Sequence, residues 1–160
     1  MTTRVQPPQV QPLQVQPLQV QALQAADRAT WEPLARGYKC FYETDLADAE
    51  YNAAWQRLLH DPRFVGLGAW QGGVLVGIVH ALFHASTWAD EVCYLQDLFV
   101  TEAARGSGAG AALIDAVATV SRQRGAARLY WLTHHGNTAA RALYDRVAVN
   151  KGFIRYDLAL

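Results

Sequence analysis

The sequence predicts an α/β (α+β) protein in which helices and strands follow one another in a mixed order. Three observations carry this. A glycine-rich stretch, RGSGAG at 105–110, stands between a strand-like run at 94–100 and an apolar helix-like run at 111–120. Two apolar runs, 64–70 and 74–86, flank QGG at 71–73 with the pattern of a β-hairpin. Two helical patterns, 27–42 and 46–60, precede that hairpin, which does not fit the regular strand-helix alternation of a doubly wound sheet.

The elements can be justified in chain order. Residues 5–24 hold four copies of a pentapeptide: VQPPQ, VQPLQ, VQPLQ and VQALQ. Proline fixes φ and lacks an N–H donor, so the first three copies favour an extended, polyproline-like path and resist central strand pairing. Ala22 replaces the proline of the fourth copy. That frees residues 20–24 to form the first strand and makes Asp27 the N-cap of the helix that follows. Residues 1–19 are therefore expected as a low-complexity extension and 20–160 as a single domain. After the two helices and the hairpin come a strand at 91–100, the glycine-opened helix and a strand at 128–133. A helix from 138 to about 149 and a final strand near 153–158 complete the order.

Composition bounds the function. With 160 residues, 51% of them hydrophobic, the chain fills one sizeable core. Lys and Arg number 14, as do Asp and Glu, so there is no overall field to attract nucleic acid or an anionic membrane. No apolar run approaches 18 residues, and the N-terminus lacks the features of a signal peptide, which makes the cytoplasm the expected location. Cys40 and Cys93 are far apart without a Cys-x-x-Cys, so buried free thiols are expected and a disulfide framework is not. His80 and His84 fall in a predicted strand, where i,i+4 spacing does not pair them, and no metal site is expected. His134 and His135 follow the 128–133 strand, where one of them could face a substrate.

The glycine stretch carries the chemistry. Without a Cβ, glycines let successive backbone N–H groups converge on one point, and the helix that follows adds unpaired donors and a positive dipole end. Arg105 supplies a guanidinium suited to phosphate. Two known spacings fit. Gly106-x-Gly108-x-x-Ala111 satisfies the looser dinucleotide fingerprint, but no acid ends the next strand, five residues separate the preceding strand from the glycines, and about ninety residues precede the motif. Arg105-x-x-Gly108-x-Gly110 resembles the pyrophosphate loop of the GCN5-related N-acetyltransferases (GNAT). Asn137-x-x-Ala140-x-x-Leu143-Tyr144, Gly152-Phe153 and YLQDLFV at 94–100 are similar to further segments of that family, in the same order.

The resemblance implies a mixed central β-sheet with helices on both faces and strands splayed at an acetyl-coenzyme A site. In such a site the backbone of Leu98, Phe99 and Val100 pairs with pantetheine and polarises the thioester. Arg105, Gly106, Ser107, Gly108, Ala109 and Gly110 hold the pyrophosphate, with Asn137 and Ala140 on the other side of the cofactor. Tyr144 is implied as the general acid that protonates the departing thiol. Gln96 stands where polyamine-acetylating relatives have a glutamate, so the base stays open: Asp97, another carboxylate acting through water, or loss of the proton to solvent. Asp97 fits equally as a structural residue tying strands together. Glu43, Asp45, Asp48 and Glu50 cluster between the first two helices, beside the implied acceptor groove, where acids also stabilise a helix start. Tyr38, Phe41 and Tyr42 share one helix face, as core or as acceptor contacts. The implied activity is direct acetyl transfer in a ternary complex to a polyamine, small amine or lysine side chain, without a metal and in a homodimer. A non-catalytic acyl-coenzyme A sensor and, less well supported, a dinucleotide-binding protein are the alternatives.

Overall fold

The structure, a computed structural model, describes residues 17–160. Along the chain run β1 (Leu18–Ala22), α1 (Arg28–Phe41), α2 (Asp48–His60), β2 (Phe64–Gln71), β3 (Val74–Ser86), β4 (Ala89–Val100), α3 (Ala109–Gln123), β5 (Leu129–Tyr130) and α4 (Thr138–Val147). The five strands form one sheet in sequence order. β1 to β4 are antiparallel and β5 lies parallel to β4, so the sheet is mixed, as predicted. A parallel neighbour needs a crossover, and α3 supplies it.

Both faces are covered because the strands carry apolar side chains on both. Trp31, Leu34 and Ala35 of α1 and Tyr51 and Trp55 of α2 pack with Leu75 and Ile78 on one face. Leu113, Ile114 and Val117 of α3 pack with Leu67, Val79, Phe83, Cys93 and Leu95 on the other. The pairing of β3 with β4 slips between His80/Asp97 and Ala81/Leu95, which leaves Gln96 as an extra residue in β4. Such a bulge reverses the alternation of side chains. Leu95 and Leu98 consequently both face α3, and Asp97 turns toward α1 on the opposite face.

Several predicted boundaries shift. β1 begins at Leu18, inside the third repeat and directly after Pro17, because antiparallel pairing with β2 extends from Ala22 back to Leu18. The path predicted for the earlier repeats lies outside the described residues. Asp27 does not cap α1 through its side chain. It closes a short 3₁₀ turn, and its carboxylate accepts from the Gln24 N–H at 2.8 Å. Cys93 is buried, whereas Cys40 is exposed and both are free. The strand predicted at 128–133 shrinks to two residues, and the strand predicted at 153–158 does not form. A strand exists only through its partner. Phe153, Ile154, Tyr156 and Leu158 have nothing to pair with or lie on within the described residues and are exposed. No helix among those residues is long and apolar enough to cross a membrane.

Candidate active site

β3 accompanies β4 from Ala89 to Val100, but on the other side only Cys93 and Tyr94 pair with β5. Beyond Tyr94 and Tyr130 the two strands part. The end of this ladder, between the main chain of 95–100 and residues 131–135 that continue β5, is the candidate cleft. Leu98, Phe99 and Val100 belong to the stretch of β4 that has no β5 partner. Leu98 and Val100 pack toward α3, and Phe99 toward α1 and α2. Their side chains pack against the core. Gly37 allows α1 to lie directly on this strand, since a Cβ there would come 2.8 Å from the Phe99 ring.

The glycine loop follows the C-terminal end of β4 and opens α3. Gly106 and Gly108 have φ of 82° and 90°, and Gly108 is the N-cap of α3. Ser107 N–H donates to Ala104 O at 3.2 Å, and Ala109 N–H reaches Ser107 Oγ only at 3.4 Å. Among the described residues the N–H groups of Gly108, Gly110 and Ala111 find no acceptor. A Cβ added at Gly106 or Gly108 would meet nothing within 4 Å, so the space above the loop is open. Arg105 is exposed beside it and makes no ion pair among the described residues. Unpaired donors, a helix N-terminus and a free guanidinium fit a pyrophosphate group. Gly110 serves packing, its Cα facing Leu143 of α4 closely enough that a Cβ would come within 3.1 Å. Asn137 has a local task that the sequence reading did not assign. Its Oδ1 accepts from Ala140 N–H at 3.4 Å, capping α4, and its Nδ2 donates to Thr133 Oγ1 at 3.3 Å.

Tyr144, on α4, is half-buried with its ring edge-on to Trp131 at 5.4 Å. Burial, with a smaller contribution from Tyr42, pushes its phenol up to about 12, so it keeps its proton at neutral pH. Tyr42 stacks obliquely between Tyr38, at 5.0 Å, and His134, at 5.9 Å, bringing the end of α1 to the 131–135 wall. Burial first, then the Asp97 charge, raises the Tyr38 phenol far above its ordinary value, and its hydroxyl donates to Gln96 O at 3.3 Å. Gln96 itself is exposed.

The acidic cluster divides into two pairs. Asp48 meets Arg36 at 2.5 Å, and Glu50 accepts from Ala47 N–H at 2.8 Å, so these two secure the start of α2. Glu43 and Asp45 remain exposed. Glu43 adopts φ 52°, left-handed for a non-glycine residue, where it closes α1 in a Schellman turn: Thr44 N–H donates to Lys39 O and Glu43 N–H to Cys40 O, each at 3.0 Å. That conformation costs a side-chain-bearing residue about 1–2 kcal/mol. Replacing Glu43 by glycine is expected to raise the unfolding free energy by about 1 kcal/mol in a denaturant melt. An unchanged or lowered value would contradict the strain.

Asp97 is held by a buried chain that sequence reasoning missed. Its Oδ2 lies 2.9 Å from His80 Nδ1, and His80 Nε2 lies 2.8 Å from Trp31 Nε1. Burial pushes the Asp97 carboxyl up, but the His80 hydrogen bond and the Lys39 charge outweigh it and hold the group below the ordinary carboxylate range. The three residues are separated by 49 and 17 positions in sequence, a distance that no periodicity spans.

A mixed sheet that splays beside a glycine-opened helix is the architecture of a transferase that takes its acyl group from coenzyme A. The sequence model of the acetyltransferase (GNAT) family matches residues 29–148, and the chain belongs to that family. It is an N-acetyltransferase with acetyl-coenzyme A as donor. It is 33% identical to a D-amino-acid N-acetyltransferase of Saccharomyces cerevisiae, over 81% of this chain and 83% of the relative. It is 35% identical to a thialysine N-ε-acetyltransferase of Bos taurus, over 72% and 68%. Among solved structures it is similar to an aminoglycoside N-acetyltransferase in complex with CoA, with a TM-score of 0.74 at 18% identity over 92% of this chain and 95% of the other.

Proposed function

We propose that the protein transfers acetyl directly, in a ternary complex, to the primary amine of a cationic acceptor: a polyamine, another small amine or a lysine side chain. The observation that carries this is the Asp97 carboxylate, held below the ordinary carboxylate range on the strand from which the cleft opens, together with the exposed acids Glu43 and Asp45 after the end of α1. The thialysine-acetylating relative supports the same class of acceptor. A D-amino acid brings its own carboxylate close to the reacting amine, which these three acids repel.

In this reading bound acetyl-coenzyme A supplies the activated thioester, held by Arg105 and the N–H groups of 106–110, with Asn137 and Ala140 flanking it. The backbone of Leu98, Phe99 and Val100 polarises the carbonyl, and Tyr144 holds the proton that the leaving sulfur needs. Tyr42 and Gln96 line the acceptor side. Asp97 is better suited to docking an ammonium than to taking its proton. An alkyl ammonium is a far weaker acid than a carboxyl held below the ordinary carboxylate range, so proton transfer from the one to the other is strongly uphill. Asp97 therefore orients the amine, and water carries the proton away.

Thiol release is the test, measured across spermidine, small primary amines, a lysine peptide and D-amino acids. Turnover is expected with the cationic amines that carry no neighbouring carboxylate. Turnover confined to D-amino acids would overturn the acceptor class while leaving the enzyme intact.

The same proposal includes a homodimer. Ile154, Tyr156 and Leu158 have the alternation of one strand face, and β5 is an edge strand whose outer side is unpaired among the described residues. A second copy offers that tail an edge. Light scattering is expected to give a dimer for the full chain and a monomer after removal of residues 151–160; equal association states in both would remove the tail from the interface.

A further inference from the structure

The strongest unassigned cluster is the chain Trp31–His80–Asp97. All three residues are buried, at 1%, 9% and 8% exposure, and each comes from a different element: α1, β3 and β4. An indole N–H only donates. His80 Nε2 must therefore accept from Trp31 at 2.8 Å, which places the single proton of the imidazole on Nδ1, where it is donated to Asp97 Oδ2 at 2.9 Å. Both bonds run in the same direction. Trp31 is itself fixed, packed against Trp55 with ring centroids 4.8 Å apart.

Stability alone does not account for this arrangement. Three apolar residues of similar volume would fill the same space without desolvating a carboxylate, and such replacements of buried polar groups are often neutral or stabilising. The β4 bulge at Gln96 also turns Asp97 into this chain just past the point where β4 has left β5, so the polar cluster adjoins the stretch of β4 without a β5 partner. The other groups facing Asp97 are Tyr38 and Lys39 of α1 and, on its own strand, Tyr94.

We propose that His80 is a positioning residue for acetyl transfer: clamped by Trp31 in the Nδ1–H form, it fixes the rotamer of Asp97 and leaves the rest of the carboxylate directed to the acceptor amine. The proposal rests on Asp97 as the acceptor carboxylate. It adds a tautomer-determining indole, with the consequence that the acceptor side is tuned by a residue that touches neither substrate.

Steady-state kinetics of the full chain with spermidine, or with the best amine found, test this. His80→Leu is expected to lower kcat/KM for the amine roughly 10- to 100-fold, with the KM for acetyl-coenzyme A unchanged. Loss of the donor leaves burial of Asp97 uncompensated, so its carboxyl rises and the acid limb of the amine kcat/KM profile moves to higher pH. His80→Asn keeps an N–H donor close to the Nδ1 position and is expected to recover most of the activity; Trp31→Phe keeps the packing and releases the clamp. Nitrogen NMR of labelled His80 gives a readout without turnover, with the proton on Nδ1 in wild type. Nε2 protonation in wild type, or an unmoved acid limb in His80→Leu, overturns the proposal. Equal losses in His80→Asn and His80→Leu, matched by equal losses of thermal stability, also overturn it in favour of a structural role. Asp97→Asn separates the two levels, because full activity in that variant would sink the acceptor reading itself, whatever His80 does.

Discussion

Replacing Tyr144 by phenylalanine is expected to lower kcat by about 100-fold or more, with the KM for acetyl-coenzyme A changed less than about twofold. Phenylalanine retains the ring that meets Trp131 edge-on, and the hydroxyl has no hydrogen-bond partner among the described residues, so nothing is stranded by its removal. The unfolding free energy should consequently stay within about 0.5 kcal/mol of wild type. A phenol near 12 is a weak acid beside a thiol near 8.5, a deficit of roughly 5 kcal/mol if the proton moved before the bond to sulfur weakened. The proton is therefore expected to travel with the breaking of that bond, and a solvent isotope effect on kcat in wild type should vanish in Tyr144→Phe. Because the group titrates so high, kcat should not fall on its account until the pH nears 12. A variant within threefold of wild-type kcat would exclude Tyr144 as the acid.

Gly108→Ala is expected to raise the KM for acetyl-coenzyme A tenfold or more and to lower stability by about 1–2 kcal/mol. At φ 90° an L-residue is strained, and relief of that strain rotates the N–H groups of the loop away from their common focus. Crowding is not the cause, since an added Cβ meets nothing within 4 Å. Gly125 makes a matched control. It follows the opposite end of α3 with φ 73° and equally open surroundings, so Gly125→Ala should cost similar stability and leave the KM alone. Equal KM effects in the two variants would mean that the loop contributes only chain geometry.

Local signals told the truth wherever the physics was local. The hairpin of β2 and β3 around Gly72 and Gly73, the glycine-opened α3 and the amphipathic α1 each announce themselves through turn chemistry or periodicity within a dozen residues. The family motifs then supplied an order of elements that the sheet follows. What stayed hidden depends on partners. The length of β5 is set by where it parts from β4, and a C-terminal strand is missing because residues 153–158 do not pair with the sheet, neither of which alternation in sequence encodes. The bulge at Gln96 was equally invisible, so Asp97 was legible as a candidate but not its direction. His80 was dismissed as a metal ligand and not recognised as a hydrogen-bond relay, because its donor and acceptor come from other elements. Asn137 reads as a cofactor contact in the motif, yet its observed bonds are those of a helix cap.

The single parallel ladder between β4 and β5 also sets a folding order. β2, β3 and β4 close through tight turns between sequence neighbours, whereas β5 joins only after the whole of α3 has crossed the sheet to reach it. Local pairings form fast and long closures late. The molecule thus consists of an early-forming meander and a late, weakly secured flap of α4 and β5, and Tyr144 rides on the flap. Amide hydrogen exchange should be slowest in β3 and fastest around 129–147, and slowing of exchange there by acetyl-coenzyme A would make donor binding the last step of folding for half of the reaction centre.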